Sequence, residues 1–195
     1  GGAEAVAVQA DVRDLDRVQE MVKTVSERFG GIDILVNNAG LVRDNLTPFM
    51  TAEEWREVID TNLTGAFYCT KAVSRLMARR KQGRIINIAS DAGRLGDVMR
   101  ANYASAKAGL LGLTKTNARE FAGSNITVNA IAPGIIETEL LDEVNENKKQ
   151  KQRDLIPLKR FGSPQDVADL AVFLASEAAG YITGQVISVD GGLYM

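Results

Sequence analysis

Residues 83–90 read GRIINIAS. Ile85 and Ile86 are consecutive, and in a strand consecutive side chains point to opposite faces. Both faces of this strand are therefore apolar, the pattern of a strand covered by helices on each side of a parallel sheet. The chain repeats the pattern outward from this point. NITVNAIAPG (125–134) lies downstream and IDILVNNAG (32–40) upstream, with AVAVQA (5–10) and QVISVDGG (185–192) near the two ends. Strands are expected at 5–10, 32–36, 83–89 and 126–132, with a last one in 185–192.

Parallel strands need long crossovers, and helical patterns fill the gaps. Asp14 caps a helix in which Val18, Met21, Val22, Val25 and Phe29 recur at helical spacing, and Gly30-Gly31 ends it. Thr51 and Glu54 form a capping box for a helix, or a kinked pair, reaching about residue 80. Another helix holds Tyr103 and runs to about 122. Ser163-Pro164 opens the next one. Residues 135–162 are polar and weakly patterned, and are expected to be mobile. The alternation predicts an α/β fold: one domain over 1–195, a doubly wound parallel sheet in three layers.

Composition removes several chemistries. The chain of 195 residues contains no His, so imidazole bases, His–metal sites and Ser–His–Asp hydrolysis are out. There is no G-x-S-x-G elbow either. The one cysteine, Cys69, sits in an apolar stretch and reads as a small buried hydrophobe. A reducing, cytoplasmic setting fits this cysteine usage. The formal net charge of -2 gives no field that would draw in nucleic acid. No apolar run reaches the roughly 18 residues of a membrane span.

In open α/β sheets ligands bind beyond the carboxyl ends of the strands. Asp11-Val12, Asn37-Asn38-Ala39-Gly40, Ser90 and Pro133-Gly134 follow the four expected strands and should share one rim. On the helix after Ser90, Tyr103 and Lys107 are four apart, hence on one face. An ammonium beside a phenol favours the phenolate and should lower its pKa from about 10. Each group also has an ordinary reading. Tyr103 and Lys107 suit a surface pair, Ser90 a strand end, Asn38-Ala39-Gly40 a turn, Asp11 a helix cap, and Asn62 a buried amide bonding backbone.

Taken together, NNAG (37–40), Asn62 in DTNLTG, Ser90 in INIAS, YASAK (103–107) and PGIIET (133–138) resemble the short-chain dehydrogenase/reductase family. The likeness covers nearly the whole chain. It implies a Rossmann-like fold and reduction of a ketone by NADPH or NADH. Ser90 would donate to the substrate carbonyl oxygen and Tyr103 would protonate it. Lys107 would lower the Tyr103 pKa and hold the nicotinamide ribose. Asn62 would hold a relay water. Asp11 and Val12 would meet the adenine; Asn38, Ala39 and Gly40 the adenosine half; Pro133, Gly134, Ile136 and Thr138 the nicotinamide carboxamide.

Within the family the chain looks most like the β-ketoacyl-[acyl-carrier-protein] reductases of fatty acid biosynthesis. An acyl-carrier-protein-bound ketone is then the expected substrate and a homotetramer the expected assembly. Arg79, Arg80 and Lys81 offer a basic cluster to an acidic carrier, although Ser124 stands where a second basic residue is expected. Sugar, polyol and hydroxyacyl dehydrogenases share most of these residues. A non-catalytic assembly subunit is the remaining alternative, because the family's opening strand and Gly-rich phosphate turn are not found in this sequence. In the family order the strand at 5–10 would be third and that at 32–36 fourth, with two strands between them. Loss of that opening segment, direct pairing of 5–10 with 32–36, and supply of the segment by another chain all stand open. The 195 residues alone are expected to bind dinucleotide weakly.

Overall fold

In a computed structural model the described residues are 3–137 and 145–194. Four strands form one parallel sheet in sequence order: β1 (Ile34–Asn37), β2 (Gly83–Ile88), β3 (Ile126–Pro133) and β4 (Val186–Val189). The crossovers are α1 (Leu15–Phe29), α2 (Ala52–Ile59), α3 (Gly65–Arg80), α4 (Ala92–Leu95), α5 (Ala101–Phe121), α6 (Glu146–Leu155) and α7 (Pro164–Ala175).

The Ile85-Ile86 pair divides the core as its alternation requires. On one face Ile85 and Val128 pack with Val22, Val73, Met77 and Ala118 from α1, α3 and α5. On the other, Ile86 and Ile131 pack with Leu174 of α7 and Ala179. Burying one such aliphatic side chain is worth about 1.5–3 kcal/mol, so the two layers hold the sheet from both sides. The caps form as read. Asp14 accepts from the amides of Asp16 and Arg17, and Gly30 ends α1 at φ 76°. Thr51 with Glu54, and Ser163 with Asp166, close reciprocal capping boxes.

Two expectations fail. Residues 5–10 form no strand and pair with nothing, β1 included. A strand exists by its ladder, and an apolar run without a neighbour to bond stays merely extended. The segment 135–162, of which 135–137 and 145–162 are described, also has order that its charged pattern did not announce. It contains α6, and Ile156 and Phe161 after it are buried, at 1% and 4% exposure. Two anchors five residues apart were too sparse to show in a charged stretch.

Candidate active site

Register brings the expected groups to one rim. Asn37 pairs with Asn87, Ile88 with Ile131, and Pro133 with Val189. The residues that follow them, Asn38, Ser90 and Gly134, therefore leave the sheet on the same edge. The helix α5 returns across that edge with Tyr103 and Lys107. Lys107 is buried at 4% exposure, and its Nζ donates to the Ile88 carbonyl oxygen at 2.6 Å. Its ammonium also lies 5.5 Å from the centroid of the Tyr103 ring.

The electrostatics differ from the simple i, i+4 expectation. Burial pushes the Tyr103 phenol above its ordinary pKa, and the Ser90 hydroxyl near it only partly offsets this. Burial brings the Lys107 pKa down to about 8. The Ser90 hydroxyl accepts from the Ala92 amide at 3.2 Å, which orients it at the start of α4.

Asn62 lies in a π-helical turn, Asp60–Thr64, between α2 and α3. Such turns recur at functional sites. Its side chain is fully buried and staples the rim turn: Oδ1 accepts from the Leu41 amide at 2.8 Å and Nδ2 donates to the Leu41 carbonyl at 2.9 Å. The amide thus takes the backbone-bonding role, and a relay water would have to use what these two bonds leave free. A Cβ on Gly40 would come within 3.1 Å of Asn62 Oδ1, so the turn closes tightly against it.

The remaining expected residues are placed as follows. Asn38, Ala39 and Gly40 are exposed along the rim. Asp11 is exposed and gripped by Arg13, whose guanidinium donates to it at 2.7 and 3.0 Å and holds its carboxyl down to about 2. Val12 lies against Gly65, where an added Cβ would meet its Cγ2 at 2.7 Å. Gly134 donates its amide to Val189 O at 3.0 Å, and Ile136 bridges to Gly162. Thr138 lies outside the described residues.

Three residues that the sequence reading passed over touch this machinery. Asn102 bonds the Tyr103 amide. Gly93 leaves no room for a Cβ against the Lys107 backbone. Asp91, next to Ser90, is buried, with Oδ2 unpartnered among the described residues. The signal for Asn102 was visible, since Asn is disfavoured inside helices. Nothing in the sequence marked the other two.

The rim suits a dinucleotide. Lys107 has three N–H donors, and one hydrogen bond, to Ile88 O, is found among the described residues. The surplus donors on a buried ammonium match the hydroxyls of a ribose. At Gly134 an added Cβ would fall 2.8 Å from Asp190 Cβ, so the turn after β3 packs closely against the residue that follows β4. Among the described residues no group of three or more His, Cys, Asp or Glu is placed to hold a metal, and no helix is long and apolar enough to cross a membrane.

A family profile described as enoyl-(acyl carrier protein) reductase matches residues 1–194. A 3-oxoacyl-[acyl-carrier-protein] reductase of Synechocystis sp. is 52% identical over 195 residues, which is 100% of this chain and 78% of that protein. The protein of the same description in Staphylococcus epidermidis is 50% identical over 194 residues, covering 100% of this chain and 80% of that one. The Vibrio cholerae counterpart is 44% identical with the same two coverages.

Proposed function

The chain belongs to the short-chain dehydrogenase/reductase family, and we propose that it reduces the ketone of a 3-oxoacyl thioester carried on acyl carrier protein to the 3-hydroxyacyl thioester, with NADPH as reductant. The observation that carries this is Lys107, buried beneath Tyr103 and tied to the end of β2 two residues before Ser90. A charge costly to bury is held where carbonyl chemistry needs it.

When bound, a nicotinamide would supply the hydride for the carbonyl carbon. The protein's own groups handle the oxygen. Ser90 donates a hydrogen bond to it, and Tyr103, kept as the neutral phenol by burial, gives it a proton. Lys107 orients the ribose and returns a proton toward the phenol. Asn62 would hold, through its second amide N–H or its backbone carbonyl, a water that links Lys107 to solvent as a proton relay. Asn38, Ala39, Gly40, Asp11 and Val12 would line the adenosine half, and Pro133, Gly134, Ile136 and Thr138 the carboxamide.

Exposed Arg79 and Lys81 at the end of α3 would meet an acidic carrier protein. Arg80 is less free, paired with Asp33 at 3.2 Å. A cytoplasmic homotetramer is the assembly that accompanies this reading, by analogy with the family.

The test is oxidation of NADPH by the purified protein with acetoacetyl-carrier protein, with a trans-2-enoyl thioester and with a sugar ketone. Turnover of the first, abolished by Tyr103→Phe, is expected. Turnover of only the enoyl or the sugar substrate would overturn the assignment. NADH supporting the faster rate would overturn the cofactor choice.

A further inference from the structure

We propose that Asn102 is a positioning residue for Tyr103, locking the first turn of α5 to the loop between β1 and α2 so that the phenol and the rim turn at Asn38–Leu41 are held as one body. This rests on the reading of Tyr103 as the proton donor. Asn102 is fully buried, at 0% exposure. Its Oδ1 accepts from the Tyr103 amide at 2.7 Å, while its Nδ2 donates to the carbonyl oxygens of Arg43 at 3.0 Å and Glu54 at 3.2 Å. Both amide hydrogens are therefore spent on backbone outside α5.

The first turn of a helix leaves amides without partners, and Arg100, at the N-cap of α5, makes no side-chain cap bond. Asn102 supplies one from inside the helix, at the residue that carries the phenol.

Independent bonds follow the same path. Asn45 donates its amide to Met99 O at 2.7 Å, and Arg100 donates to Asp44 at 2.9 and 3.2 Å. Met99 sits at φ 68°, a conformation that a residue with a Cβ keeps only when its surroundings hold it there. At the other end of the same loop Asn62 grips Leu41. Two buried asparagines thus pin one short segment, one to the π-helical turn and one to Tyr103. A cap needed only for helix stability would have no use for donors reaching Arg43 and Glu54.

The test uses the purified protein and two variants. Asn102→Ala removes all three bonds. Asn102→Asp has the same shape and keeps the acceptor for the Tyr103 amide, but turns an oxygen toward two carbonyl oxygens unless it is protonated. The Tyr103 phenol is titrated by ultraviolet absorbance, as the difference between each protein and its Tyr103→Phe partner, and kcat is followed against pH.

In Asn102→Ala the phenol is expected to titrate closer to a free phenol as water enters. The kcat should fall about 10–100-fold, as expected for a reacting group displaced by about 1 Å. In Asn102→Asp activity should recover as the pH falls and the acid protonates, an ionisation that the parent lacks. Folded variants whose phenol titration and pH profile match the parent would overturn the proposal. If Asn102→Ala does not fold, Asn102→Asp decides by the same criterion. If the parent reduces no ketone, the functional reading has failed, and the phenol titration still decides the role of Asn102.

Discussion

The ammonium of Lys107 lies over the ring of Tyr103, 5.5 Å from its centroid, and its hydrogen bond goes to Ile88 O rather than to the phenol. The two groups are neighbours as helical spacing demands, yet each is dominated by its own burial. Tyr103 is driven toward the neutral acid and Lys107 toward the neutral amine. Burial disfavours the charged form of each group and sets the direction of both shifts.

Lys107→Met tests the cost of that burial. The Lys107 pKa falls from 10.5 to about 8 on folding. The folded state thus binds this proton less tightly than the unfolded state, and stability rises as the pH climbs between those two values. Below about 8 the penalty is present in full. Lys107→Met should therefore melt at a higher temperature than the parent at neutral pH, with the gain shrinking toward pH 10.5, and it should lose reductase activity. Calorimetry at three pH values, with one activity assay, checks both halves. A variant less stable than the parent at neutral pH would show that the bond to Ile88 outweighs desolvation.

Gly93→Ala tests how closely α4 rides on α5. A Cβ there would lie 2.6 Å from the Lys107 carbonyl carbon and 2.7 Å from the Ala108 nitrogen. Both are backbone atoms that cannot swing aside. Overpacking of this kind costs about 1–3 kcal/mol, and here the yielding element carries Lys107. Chemical denaturation should show a loss in that range. The kcat should fall together with stability, whereas Gly112→Ala, inside the same helix α5 with open space around it, should leave kcat unchanged and raise stability by about 0.5–1 kcal/mol.

The fold was legible where residues act through burial pattern. Ile85 and Ile86 announced a strand covered on both faces, and Thr51 with Glu54 announced a helix start. Residues 5–10 were misread because an apolar run shows what could pair, not whether a partner strand is present. The site was legible as a set of residue types, but its bonds were not. Asn62 was equally compatible with a relay and a staple until Leu41 was placed against it. Gly93 carried no mark at all, because a glycine chosen for lack of space looks like one chosen for a turn. The direction of the Tyr103 shift depended on burial, which spacing alone does not report.

Asn62→Ala follows from that staple. It leaves the Leu41 amide and carbonyl without their partners in a buried place, at about 1–3 kcal/mol for each orphaned group. Hydrogen exchange at the Leu41 amide should accelerate and the melting temperature should fall. Unchanged exchange at Leu41 would show that the bonds at 2.8 and 2.9 Å are not what holds the rim turn.

Asp91→Asn addresses an acid placed next to Ser90. Asp91 is buried, its Oδ1 accepts from Ser188 Oγ at 3.2 Å, and its Oδ2 has no partner among the described residues. Burial, with Asp190 close by, raises its pKa from 3.8 to about 6. Ser188 and Arg94 oppose the rise, and Arg94 is itself spent on Ser188 Oγ at 2.7 Å. With the folded pKa above the unfolded one, the folded state binds this proton more tightly. The stability contributed by this group is full below pH 3.8 and is lost as the pH rises through about 6. At neutral pH the parent therefore carries an ionised, poorly solvated carboxylate. Asp91→Asn removes that charge at nearly constant shape, so it should be the more stable protein at pH 7. Its stability should also lack the decline that the parent shows between about 4 and 6. Denaturant midpoints measured across that interval check the difference. Parallel curves for the two proteins would mean that Asp91 reaches water or a cation that neutralises it.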